Sequence, residues 1–243
     1  RRAARQVAEL VLDRGYAGIN LDFEGPFGHV RDAYSRFVAE VAERLRPEGK
    51  LVTVDVVAQT APPPDPDRDP QALASSWAAP YDYPALARCA DYVIIMGYDY
   101  GSTTSPPRPV GPLWWLRQVL DYALQHVPPR RLVLGLPFYG RHWTLQDGRA
   151  SRGRGITHRR AVELLHAAGA ELEWDEEAAT PHFRWTDTEG EHRVYFDDAL
   201  SLEAKLGLVR EYGLAGVAFW RLGQEDPAVW DVLRHLRKGA GGG

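Results

Sequence analysis

The feature that most limits what this chain can become is a repeated pairing of a helical stretch with a short apolar run. Helical spacing over about 2–14 precedes the run from Ala17 to Phe23, and spacing over about 30–46 precedes Leu51 to Ala58. A short helical stretch near 83–89 leads into Tyr92 to Met96. Another, from Leu113 to His126, leads through Pro128-Pro129 into Leu132 to Phe138. The last, over about 200–212, leads into Ala215 to Trp220, and a closing helix follows over about 227–237. Apolar runs this short, returned by helices, are the signature of a parallel sheet wrapped by helices. The prediction is an α/β fold with five strands.

Three stretches break that rhythm. Residues 59–80 are too rich in proline for helix or strand and too long for a routine connection, and they follow the C-terminal end of a strand, where long loops line sites. Residues 144–196 carry a helix near 157–168 and then short strand-like pieces, PHFRWTD and HRVYF, which read as a small inserted α+β subdomain. The tail after 238 is glycine-rich. The expected organisation is therefore a barrel-like part over 1–143, the insertion over 144–196, a last strand and helices over 197–238, and a tail over 239–243.

Composition narrows the function. With 44% hydrophobic and 26% charged residues the chain is an ordinary globular protein, and nothing in it approaches the roughly 18 consecutive apolar residues of a membrane helix. A formal charge of -4, with both signs interspersed, gives no basic stripe for nucleic acid. One cysteine, Cys89, forbids an internal disulfide, and its place on a short helix points to a structural role. The eight histidines lack ligand spacing, so no metal site is expected. Asp197-Asp198 stands at a helix start, where capping and the helix dipole account for the acidity. Trp114 or Trp115 reads as core packing or as a cleft contact. The chain opens in a helical pattern without Met, and its only methionine is Met96, so a fragment or processed form is expected.

The chemistry concentrates in GINLDFEG. Period-two alternation puts Ile19, Leu21 and Phe23 on one face and Asn20, Asp22 and Glu24 on the other, with the two carboxylates about 7 Å apart by Cα. In a strand covered on both sides that face is dry, so burial and like charge oppose double ionisation and keep one acid protonated. The alternative is an edge strand whose polar face meets water. Tyr98, Tyr139 and Trp220 close three later strands at their C-terminal ends, where α/β barrels hold their sites.

These residues resemble glycoside hydrolase family 18, the chitinase family, and most closely its spore-germination and cortex-lytic N-acetylglucosaminidase branch. The family's D-x-x-D-x-D-x-E signature corresponds to AGINLDFE, from Ala17 to Glu24, and its M-x-Y-D signature to Met96-Gly97-Tyr98-Asp99. LGLPFYGRHW, GLAGVAFWRLG and PHFRWTDTEGEHRVYFDDALSLEAK look like further family segments. Ala17 and Asn20 depart from the signature's first two aspartates; asparagine is common at the second place in the spore branch.

The resemblance implies a partial (β/α)8 TIM barrel, with about five of its eight strands present and about three strand-helix units expected upstream. Five strands alone are expected to leave hydrophobic edges and to be weakly active or inactive. It also implies a retaining mechanism in which the substrate's own acetamido group is the nucleophile. Glu24 is then the acid and later the base, Asp22 holds the acetamido N–H, Tyr98 orients its oxygen, and Trp220 floors the sugar subsite. Asn20, Asp99 and Tyr139 are implied binding residues, Asn20 as an anchor for Asp22, and no metal or organic cofactor is needed. The implied partner is a polysaccharide in the wall or spore, peptidoglycan or chitin, often with an upstream wall-binding module, and the implied location is extracellular. A chitinase using the same residues and a sugar-binding lectin on an inactive fold are the rival readings.

Overall fold

A computed structural model describes residues 1–25, 28–64 and 68–240. In chain order the elements are α1 (Arg2–Asp13), β1 (Gly18–Leu21), α2 (Arg31–Leu45), β2 (Leu51–Val57), α3 (Pro70–Ser75), α4 (Tyr83–Cys89), β3 (Tyr92–Met96) and α5 (Leu113–Ala123). They continue with β4 (Leu132–Pro137), β5 (Tyr139–Gln146), β6 (Arg149–Ala150), β7 (Arg154–Thr157), α6 (His158–Ala168), β8 (Glu173–Asp175), β9 (Thr180–Asp187) and β10 (Gly190–Tyr195). The last are α7 (Ala199–Glu211), β11 (Gly216–Trp220) and α8 (Val229–Ala240). One sheet has the order β1-β2-β3-β4-β11, its first two pairings parallel. The other runs β6-β5-β10-β9-β8, with β7 also on β5, and is antiparallel. This is an α/β fold with five strands of a partial barrel.

The chain divides into two compact units, the first made of Arg1–Met96, Gln118–Leu134 and Tyr212–Gly216, the second of the remainder. In the first unit, helical spacing supplies the core. Ala4, Ala8 and Val11 form the buried stripe of α1, and Tyr34, Val38, Val41 and Leu45 that of α2. Alternation does the same in the sheet, burying Val52, Val54 and Val56 of β2 and Val93 and Ile95 of β3. At Gly18 a Cβ would lie 2.2 Å from the Leu51 carbonyl oxygen, so only glycine lets β1 start alongside β2.

In the second unit, Ala161, Phe183, Val194 and Phe196 form a buried cluster covered by Ile156, Leu164, Leu165 and Trp185. Trp143 is fully buried and its Nε1 donates to the Ser105 carbonyl at 3.1 Å. Lys205 and Asp197, both fully buried in their side chains, form an ion pair, and Ser201 Oγ donates to Asp197 Oδ1 at 2.9 Å.

Several expectations change. The segment 59–80 does contain a helix, α3, whose start is marked by Asp69 Oδ1 accepting from the Ala72 amide at 2.8 Å. Of the acidic pair before α7, Asp198 caps the helix through the Ser201 amide at 2.8 Å, whereas Asp197 turns inward to Lys205. The largest change is at β1. It is the terminal strand of its sheet and ends at Leu21, so Asp22, Phe23 and Glu24 follow the strand instead of belonging to it. Within the described residues β1 pairs with β2.

Candidate active site

The signature segment is shaped from beneath by two phenols of the first unit. Tyr34, on the buried stripe of α2, donates its hydroxyl to the Leu21 carbonyl at 3.4 Å. Tyr81, fully buried, donates to the Phe23 carbonyl at 2.5 Å. Tyr81 is itself set by its own carbonyl, which accepts from Arg31 Nη1 at 3.0 Å and Gln59 Nε2 at 3.2 Å. Phe23 is 57% exposed, yet its ring meets Tyr34 and Phe37 with centroids 5.6 Å from each. Backbone oxygens of alternate residues are thus held, and the side chains of Asp22 and Glu24 stand at the surface.

Both carboxylates are exposed, so the dry strand face expected for them is replaced by an open one. Partial burial still pushes the Asp22 carboxyl above the ordinary range. Asn20 does not anchor Asp22. Its amide nitrogen donates sideways to Thr53 Oγ1 and Asp55 Oδ1, each at 3.0 Å, because β2 lies alongside in register. Asp55 is a neighbour of the signature segment that sequence reasoning missed. Burial pushes its carboxyl up to about 6; the Asn20 N–H opposes this, and the negative charges of Asp22 and Glu24 add to it.

The second unit gathers the aromatic candidates. Tyr98, half-buried just past β3, lies with its ring 6.3 Å from that of Tyr139, edge to face. Tyr139 is 8% exposed and donates its hydroxyl to Asp99 Oδ1 at 2.5 Å. Arg141 Nη2 reaches the same oxygen at 2.5 Å, while Arg141 Nε donates to the Gly101 carbonyl at 2.7 Å. The pair of donors holds Asp99 at φ 64, a backbone conformation that aspartate adopts more readily than most side chains. Burial and the Asp99 charge push the Tyr139 phenol up, so it stays a donor. Trp220 ends β11 with 50% of its surface exposed, and its carbonyl accepts from the Phe138 amide at 2.7 Å.

The structure therefore brings Asn20 and Asp55 together in one unit, and Tyr98, Asp99 and Tyr139 in the other. Tyr34, Tyr81 and Arg141 join the list from the structure alone. Among the described residues no group of three or more His, Cys, Asp or Glu could hold a metal ion, and no helix is long and apolar enough to cross a membrane.

The chain is 30% identical over 235 residues to the "Cortical fragment-lytic enzyme" of Bacillus subtilis (strain 168), covering 96% of this chain and 52% of that protein. Among solved structures, the spore cortex-lytic enzyme SleL of Bacillus megaterium QM B1551 superposes with a TM-score of 0.82 at 29% identity, covering 95% of this chain and 51% of that one. A chitinase from Chromobacterium violaceum ATCC 12472 gives a TM-score of 0.84 at 30% identity, covering 96% and 69%. The chain spans about half the length of the curated relatives it matches. The model of Glycosyl hydrolases family 18 matches residues 1–225, a span that takes in both signature segments as well as the strand ending in Trp220, and the chain belongs to that family.

Proposed function

We propose that this chain belongs to a glycosidase that cleaves β-linked N-acetylglucosamine in peptidoglycan of the spore cortex or cell wall, by substrate-assisted retention. The observation that carries the reading is the exposed Asp22–Glu24 segment on a backbone held by buried Tyr34 and Tyr81 hydroxyls. A side chain that must reach a polymer has to be accessible, and a fixed backbone limits how far it wanders.

In this reading Glu24 protonates the departing glycosidic oxygen and then takes a proton from the incoming water. Asp22 accepts the acetamido N–H and balances the positive charge of the oxazolinium ion. Tyr98 hydrogen-bonds the acetamido oxygen, and the exposed Trp220 ring offers an apolar surface to a sugar face. Asn20, Asp99 and Tyr139 act one step back, Tyr139 through its hydrogen bond to Asp99.

Peptidoglycan is favoured by the Bacillus cortical fragment-lytic enzymes and chitin by the Chromobacterium chitinase at the same identity, so assays on both polymers separate the two. A wall or spore location outside the cell, with a wall-binding module elsewhere in the protein, completes the proposal. The central test is Glu24→Gln, which preserves size and removes the proton. Hydrolysis should fall at least about a hundredfold, the usual worth of a general acid-base group. Unchanged turnover would end the assignment, and retained sugar binding without hydrolysis in the parent chain would favour the lectin.

A further inference from the structure

An aspartate in the middle of LVTVDVV is out of place by strand preference and by burial. Alternation along β2 puts Val52, Val54 and Val56 on the buried face and Thr53, Asp55 and Val57 on the other. The parallel register sets Asn20 against Thr53 and Leu21 against Val54, the last pair, after which the chain continues into Asp22 and β2 into Asp55. Asn20 spends both amide hydrogens on this neighbour strand, at 3.0 Å to Thr53 Oγ1 and 3.0 Å to Asp55 Oδ1. The groups that face Asp55 are Asn20 on β1, Asp22 and Glu24 past its end, Tyr34 from α2 and Tyr81 ahead of α4; on β3 its partner is the apolar Ile94.

We propose that Asp55 is a positioning residue for the Asp22–Glu24 segment, locking Asn20 by hydrogen bond and supplying a third negative charge beside the two catalytic carboxylates. The proposal rests on the catalytic reading of Asp22 and Glu24. Coupling between like charges is reciprocal: the charges that disfavour ionisation of Asp55 are themselves disfavoured by it. Above pH about 6, where Asp55 ionises, it therefore helps to keep a proton on its neighbours. An exposed acid has little burial to hold its proton, and this fixed charge is a substitute.

Two substitutions separate the charge from the hydrogen bond. Asp55→Asn keeps an acceptor for Asn20 and removes the charge; Asp55→Ala removes both. Carboxyl carbons of Asp22 and Glu24 are titrated by NMR in the whole chain, and kcat/KM on N-acetylglucosamine oligomers is followed from pH 5 to 8. In the parent the Asp22 and Glu24 carboxyl carbons should show a step near pH 6 as Asp55 ionises beside them, and Asp55→Asn should remove it. The ratio of variant to parent kcat/KM should drop by about three- to tenfold between pH 5 and 8, as expected for a partly screened like charge that only the parent carries and only above pH about 6. Asp55→Ala should lower kcat across the whole range as well.

Absence of that step in the parent, or its persistence in Asp55→Asn, overturns the proposal whether or not the chain turns over. So does a loss of activity that is equal at pH 5 and pH 8, the mark of a purely structural role. Failure of the catalytic reading has a different signature, parental hydrolysis by Glu24→Gln, and would also remove the basis of the proposal.

Discussion

Lys205→Met tests how the second unit is pinned. The Lys205 and Asp197 side chains are both 0% exposed, and Asp197 Oδ1 takes the ammonium together with the Ser201 hydroxyl at 2.9 Å. Asp197 Oδ2 is buried without a hydrogen-bond partner, so the lysine is the main compensation for this carboxylate. Breaking a buried pair by removing one partner costs about 3–5 kcal/mol, since the other charge is left uncompensated. Burial pushes the Asp197 carboxyl up and Lys205 pulls it down, so losing the lysine lets a proton take its place. The sign follows: with a folded-state pKa raised above the unfolded value, the variant keeps most stability below about pH 4 and loses it as pH rises. Urea denaturation at pH 5 and pH 7.5 should show the larger deficit at 7.5. The double variant Lys205→Met, Asp197→Leu should recover much of it, because an apolar pair of similar size restores packing without a stranded charge. A single-variant cost below about 1 kcal/mol that is flat with pH would refute the argument.

Two further outcomes follow from the geometry. Tyr81→Phe strands the Phe23 carbonyl, with an expected loss of about 1–3 kcal/mol and a greater fall in kcat than rise in KM; denaturation and steady-state kinetics check both. In the second unit, His142 contacts His192 at 2.9 Å, and burial followed by the His192 charge lowers its pKa to about 4. The unfolded chain then takes up a proton first as pH falls below about 6.5, so the β5–β10–β9 sheet should lose stability between there and pH 4. Hydrogen exchange of its amides at pH 7 and 5 reads this directly, and equal protection after correction for intrinsic rates would contradict it.

Much of the scaffold was legible because periodicity reports burial. The stripe of α1 and the alternation of β2 appear in the sequence as they do in the core. What pattern alone did not give is where pairing stops. Asn20, Asp22 and Glu24 alternate like a strand, yet the last paired residue is Leu21, opposite Val54, a fact that belongs as much to β2 as to β1. Asp55 did leave a mark, a charge amid valines, but its partner lies 35 residues away. Lys205 left one too, standing four residues after Ser201 and three before Leu208, on the helix face that is buried. The start of α3 was written as Asp69-Pro70, a cap and a first-turn proline, and was obscured by the prolines around it.

The phenols of Tyr34 and Tyr81 grasp carbonyl oxygens, which every amino acid has, so their hold on the turn does not depend on which side chains stand at positions 22 and 24. Tool and handle are separate parts. Replacing either acid leaves both carbonyl contacts available to the phenols, so a version inert in hydrolysis could serve as a glycan probe.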